Sequence, residues 1–148
     1  MKEATKTIYE NLKFTHKVHE KQCELLALGA FLIRIVSVLL ICIVLFLQFW
    51  QIIDTGHSQL IAIWSIIFTV IEVGVAFFQL NFNYDNLLDQ HRTIAKSLLS
   101  IKNRFIVSKA SSMSQKQLDS FVTEINEIYS GAPQTNKLAK WMANREDK

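Results

Sequence analysis

Two long apolar runs, residues 35–53 and 60–82, dominate the pattern of this chain, and the polar stretch Asp54, Thr55, Gly56, His57, Ser58 and Gln59 separates them. Each run approaches the roughly 20 residues a helix needs to cross a bilayer core, and neither contains proline. A helix in a soluble domain keeps a wet face, whereas Ile35, Val36, Val38, Leu39, Leu40, Ile41 and the stretch 43–47 leave almost none. The pattern predicts an all-α membrane protein built on a two-helix transmembrane hairpin, with N-terminal and C-terminal cytoplasmic helical arms.

Outside the runs the period is also helical. Residues 1–24 are polar but place Ile8, Leu12, Thr15, His19, Cys23 and Leu26 at intervals of three and four, a face that leads into the first span at 25–53. After the loop at 54–59 and the second span at 60–82, neither Gly nor Pro intervenes before Gly131, so the helix is expected to continue through 83–108. Along it, Tyr84, Leu87, His91, Ile94, Leu98, Ile101 and Phe105 form a heptad-like seam that needs helical partners, from this chain or from another copy, and these residues are the candidates for holding a homo-oligomer together. A turn follows at 108–114, where Ser111, Ser112 and Ser114 cluster. Ser114 with Gln117 reads as a capping box for an amphipathic helix over 114–130 carrying Leu118, Phe121, Val122, Ile125 and Ile128. The tail 131–148 contains Lys137, Leu138, Lys140, Trp141 and Met142, suited to a short turn at a membrane surface, a docking peptide or a disordered end.

Charge gives the hairpin a direction. Lys13, Lys17 and Lys21 precede the first span, Arg92, Lys96, Lys102 and Arg104 follow the second, and the loop has neither Lys nor Arg. Basic residues flanking spans stay on the cytoplasmic side, so both termini are expected there, with Trp50 and Trp64 near the outer interface. The net charge of +3 is too small to suggest nucleic acid as a partner, and the lipid bilayer accounts for the basic residues.

Polar residues inside the spans are the main functional candidates, because a polar group left in hydrocarbon costs several kcal/mol. In the first span Arg34, Ser37, Gln48 and Gln51 share a stripe interrupted by Ile41, Val44 and Leu45. In the second, Ser65, Thr69, Glu72, Ala76, Gln79 and Asn83 recur at alternating intervals of four and three. Antiparallel helices folded about the loop place residues at equal depth when their numbers sum to about 113, which sets Arg34 near Gln79, Gln48 near Ser65 and Glu72 opposite Ile41. Arg34 is close enough to the cytoplasmic edge to extend its head to water, but Glu72 lies near the midplane, where an ionisable residue marks function by default. These residues are candidates for lining and gating a conducting path, with Ile41, Val44 and Leu45 as an apolar gate.

Other chemistry is thin. His16, His19 and Cys23 share one side of the N-terminal helix, and His91 on the other arm could join them around a metal ion. Structural zinc sites pair their ligands more tightly and histidines between helices are commonly just hydrogen-bonded, so no metal or other cofactor is expected. The two cysteines, Cys23 and Cys42, lie roughly 28 Å apart along one helix and cannot pair within the chain. No glycine-rich phosphate loop or nucleophile elbow is present, so the reading is not that of an enzyme.

The segments "IYENLKFTHKVHEKQ", "YDNLLDQHRTIAKSLLSIKNRF" and "GAPQTNKLAKW", set around two spans with a very short loop, resemble the SLATT group of bacterial two-transmembrane effectors along almost the whole chain. The resemblance implies an inner-membrane effector of a bacterial, antiphage conflict system. Such an effector acts as an oligomer, forming a pore or otherwise disrupting the membrane when a nucleotide second messenger or a sensor protein switches it on. The resemblance does not say which trigger applies. A second reading stays open, in which the chain is a non-conducting anchor or adaptor whose cytoplasmic helices recruit a soluble partner. The polar stripes favour the homo-oligomeric effector, since a lone hairpin needs far less polarity to associate.

Overall fold

The computed structural model describes every residue except Met1, Thr55, Ser111, Ser112, Asp147 and Lys148. The described residues form five helices and no strand: α1 Lys2–Ile53, α2 Ser58–Asn81, α3 Tyr84–Ala110, α4 Gln115–Gly131 and α5 Lys137–Glu146. They fall into two compact units, Met1–Ala27 with Asp85–Lys148, and Leu28–Tyr84.

With no proline in its 52 residues, α1 runs unbroken from the N-terminal arm through the first apolar run, about 78 Å of helix. Asp54 ends it. Its backbone N–H closes the last turn on the Trp50 carbonyl at 2.9 Å, while its Oδ1 accepts the N–H groups of Gly56 and His57 at 3.0 and 3.2 Å. A carboxylate facing consecutive N–H groups reverses the chain tightly, so α2 begins at Ser58, earlier than the apolar run itself. Thr55 lies outside the described residues.

The second helix does not continue as its sequence suggests. It stops at Asn81, Phe82 adopts an extended conformation (φ −96°, ψ 93°), and α3 starts afresh at Tyr84. No glycine or proline stands at the break, where the Phe82 N–H still reaches the Phe78 carbonyl at 2.9 Å but the Tyr84 N–H turns to the Phe82 carbonyl at 2.8 Å. Asn81 gives its side-chain amide to the Phe77 carbonyl at 2.8 Å, and the Phe82 ring sits 5.3 Å from Phe78 and 4.6 Å from Tyr84.

In the unit formed by the arms, Leu12 of α1, Leu98, Ile101 and Phe105 of α3, and Leu118, Phe121 and Ile125 of α4 make one core, flanked by Ile8, Tyr9, Ile94, Met113 and Ile128. Ser114 and Gln117 exchange side-chain and backbone hydrogen bonds as a capping box, which fixes the start of α4. Ser111 and Ser112 of the preceding turn are outside the described residues. The tail is the fifth helix. Ala139 and Ala143 of α5 are fully buried on Val18 of α1 with Leu25 beside them, and the Asn136 N–H donates to Gln22 Oε1 at 2.9 Å.

In the unit Leu28–Tyr84, the second half of α1 packs antiparallel on α2. The less exposed positions of α1 are Ile33, Ser37, Leu40, Val44, Leu47 and Gln51, and they meet Ile61, Ser65, Phe68, Glu72, Val75 and Gln79 of α2. This is the three-and-four spacing of a close helix pair. Almost everything else is apolar and exposed, including Phe49 at 64%, Leu80 at 84% and Phe77 at 69%. In water such a surface would drive association, and in a bilayer it is the ordinary lipid-facing surface of a hairpin.

Candidate functional site: the polar side of the hairpin and the histidine core

Depth within the hairpin follows the antiparallel register. Gln79 Nε2 donates to the Ile33 carbonyl at 3.4 Å, one residue from the level expected for Arg34, and the Tyr84 ring lies 3.7 Å from where a Cβ on Gly29 would stand. An alanine at position 29 would make ordinary van der Waals contact with that ring.

The predicted stripes divide. Ser37, Val44 and Gln51 on α1, with Ser65, Glu72 and Gln79 on α2, lie in the seam between the two helices, while Arg34, Ile41, Leu45, Gln48 and Thr69 are exposed beside it. Asn83 is exposed in the break after α2. The expected gate is divided in the same way, with Val44 in the seam and Ile41 and Leu45 outside.

This division gives the hairpin two unlike sides. Because the helices are antiparallel, the residue following each seam position turns to the same side in both, and the residue preceding it turns to the other. The following positions carry Arg34, Val38, Ile41, Leu45, Gln48 and Ile52 on α1 and Ala62, Ile66, Thr69, Val73, Ala76 and Leu80 on α2, so that this side is apolar except at Arg34, Gln48 and Thr69. The preceding positions hold no polar side chain, and include Leu32, Phe46 and Trp50 of α1 with Trp64, Ile71 and Phe78 of α2. A cavity of about 370 Å³ opens on that second side, over Gly74 between Leu32, Val36, Ile71 and Phe78.

Glu72 is one of the less exposed positions of α2, partly buried, and makes no hydrogen bond or ion pair among the described residues. Thr69 does not serve it, since the Thr69 hydroxyl donates to the Ser65 carbonyl at 2.8 Å. A carboxyl in this position is costly in a dry hairpin and is relieved only by water or another donor.

The seam of α3 is filled from within the chain. Leu98, Ile101 and Phe105 are at most 1% exposed among α1 and α4, Ile94 packs on the same core, and Leu87 is partly buried. Tyr84 sets its ring against Phe82 instead, at a tilt of 39°. The side chains from which a subunit interface was expected are thus the ones that build the chain's own core, and a heptad period alone does not distinguish the two.

His91, in the same seam, meets His19. Their Nδ1 atoms are 2.9 Å apart, both rings are 2% exposed, and one ring must donate while the other accepts. Burial, with His91 and His16 adding repulsion, lowers the pKa of His19 to about 4, and burial lowers that of His91 as well. His16 is lowered by burial against a partial offset from Glu20, 3.6 Å from its Nδ1. Burial pushes the Cys23 thiol up, and its Sγ faces the Leu88 carbonyl at 3.9 Å. No group of three or more potential ligands is gathered around a metal position among the described residues.

An α-helical hairpin long and apolar enough to span a bilayer twice, joined to helical arms with a polar exterior, defines a small two-span membrane protein. Over residues 1–145 the sequence matches the SMODS and SLOG-associating 2TM effector domain family 4, and the chain belongs to that family. No curated protein and no solved structure matches it. The family is one of membrane effector domains, as the layout of the spans implies.

Two features escaped the sequence reading. The sidedness of the hairpin was encoded in the residues flanking each seam position, and could be found only once the seam itself was known. The fifth helix was signalled weakly, by Ala139 and Ala143 at the spacing of one helical turn.

Proposed function

We propose that the chain is an oligomeric inner-membrane effector of a bacterial antiphage conflict system, with both termini cytoplasmic, which forms a pore when triggered. The observation that carries this reading is the chemical asymmetry of the hairpin. Lipid accepts the side bearing Trp50, Trp64 and Phe78, whereas the other side carries Arg34 and Gln48, and an exposed glutamine amide within a span asks for protein or water. Two helices cannot enclose a water path alone, so several copies would set their polar sides around one axis. Ala62 and Ala76 on that side permit close approach of a neighbouring helix. Ile41 and Leu45, between Arg34 and Gln48, would then form the apolar constriction that keeps the resting path dry. The buried seam of α3 leaves the contacts between copies to the hairpins and to the outer surfaces of the arms. The trigger, a sensor protein or a nucleotide second messenger, would act on those arms.

The test is ion flux through purified protein in liposomes, combined with thiol labelling of membranes. In a Cys42→Ser background, Gln48→Cys and Thr69→Cys should react with a water-soluble reagent and Ile67→Cys and Ile71→Cys should not. Absence of flux from the liposomes, with no difference in labelling between the two sides, would favour the non-conducting anchor instead.

A further inference from the structure

The fifth helix is amphipathic in an unusual way. Its inner face consists of Ala139 and Ala143, both fully buried, and its outer face presents Leu138 at 48% and Trp141 at 56% exposure. The Arg145 guanidinium lies 5.5 Å from the centre of the Trp141 ring. The ten residues hold three basic side chains, Lys137, Lys140 and Arg145, and one acidic position. An exposed Trp and Leu ringed by cations is the composition of a helix that rests in the headgroup layer, with the ring among the glycerol groups and the cations on phosphate.

The packing of α5 sets where this face is held. Its start is tied to Gln22 and its alanines sit on Val18 and Leu25, the last turns of α1 before the apolar exposed surface begins at Leu28. Since α1 is unbroken, Leu25 and Leu28 are separated by about 4.5 Å along its axis.

We infer that the Leu138, Trp141 and Arg145 face of α5, with Lys137 and Lys140, is a docking surface for the anionic lipids of the cytoplasmic leaflet. Charge complementarity selects an anionic bilayer over an uncharged one, because the latter would gain from Leu138 and Trp141 but not from the three cations. The inference uses the topology proposed above and is independent of conduction. Docking would fix the arms against the membrane at the point where the first span begins, so that lipid charge becomes an input to the state of the effector.

The full-length Trp50→Phe, Trp64→Phe variant leaves Trp141 as its sole tryptophan. It is reconstituted in vesicles of phosphatidylcholine alone or mixed with phosphatidylglycerol. Trp141 emission should move to the blue and its quenching by acrylamide should fall in the anionic vesicles only, with brominated phosphatidylglycerol quenching it directly. High salt should weaken the effect, and Lys137→Glu with Lys140→Glu should abolish it, at about fivefold in the docking equilibrium for each charge lost. Both lysines are exposed, so unchanged thermal unfolding of that variant shows that the bundle survives. Trp141 equally open to acrylamide in both vesicles overturns the inference. So does shielding that ignores lipid charge and rises with protein density, which would assign the face to another protein surface.

Discussion

His19 of α1 and His91 of α3 meet Nδ1 to Nδ1 at 2.9 Å inside the arm bundle, and the contact is lost once both rings are protonated, when two donors face each other. With the pKa of His19 lowered from 6.5 to about 4, the unfolded chain binds more protons than the folded one between those values, so stability falls as pH drops from about 6.5 to about 4. Thermal unfolding across that window should show the loss. His91→Ala removes the partner of a buried ring and should cost about 1–3 kcal/mol at neutral pH. His19→Leu with His91→Leu should cost less than the two single changes added, and should flatten the pH dependence. A pH profile unchanged in the double variant would place the sensitivity elsewhere.

Leu98 and Ile101 bear on the arms in a second way. Because both are buried among α1 and α4, Leu98→Ala should destabilise the bundle by about 2–5 kcal/mol. Leu98→Asp should unfold it, with loss of hydrogen-exchange protection across α3 and α4. If Leu98→Asp instead keeps the bundle protected and only lowers the subunit number in detergent, the seam is shared between copies.

What the sequence disclosed, and what it did not, follows from the range of the interactions. The capping box of Ser114 and Gln117 is local, and so is the apolar content of the spans, and both are legible residue by residue. The depth rule holds because an unbroken hairpin leaves one free parameter, the position of the turn. The end of α2 was hidden because no Gly or Pro stands at Asn81 and Phe82 to announce it. The seam from Tyr84 to Phe105 was visible as a seam, but its partners, Leu12, Phe121 and Ile125, lie in distant parts of the chain. Spacing alone assigned Val44 and Glu72 to the same surface as Gln48 and Thr69, because a phase difference of one residue decides between seam and flank.

That phase difference makes the gate testable. Ile41 and Leu45 are exposed beside the seam and Val44 is in it. Ile41→Ser or Leu45→Ser should raise resting leak or toxicity, since wetting a hydrophobic constriction opens it. Val44→Ser should instead loosen the hairpin by about 1 kcal/mol, with little leak at matched membrane abundance. The reverse pattern would turn Val44 toward the path and require a different arrangement of the two helices.

Glu72 decides between the two functions of the hairpin. It lies near the level of Ile41, and its neighbour Thr69 is already committed to the Ser65 carbonyl. A helix pair glued by hydrogen bonds would use such a group, yet Glu72 has no partner among the described residues, so any closure that dried its surroundings would be opposed by the carboxyl. Rearrangement of the seam that admits water would relieve that cost and favour an open state. Glu72→Gln keeps the shape and the hydrogen-bonding groups but cannot ionise. It should give a normally inserted protein with altered ion flux and strongly reduced growth arrest in cells. Glu72→Leu removes the polar group altogether, so it should raise the melting temperature of the hairpin in detergent while abolishing toxicity. Flux and toxicity at wild-type level in the Gln variant, at equal abundance, would show that ionisation has no part in opening, and with an unaltered Leu variant would move the anchor reading ahead of the pore.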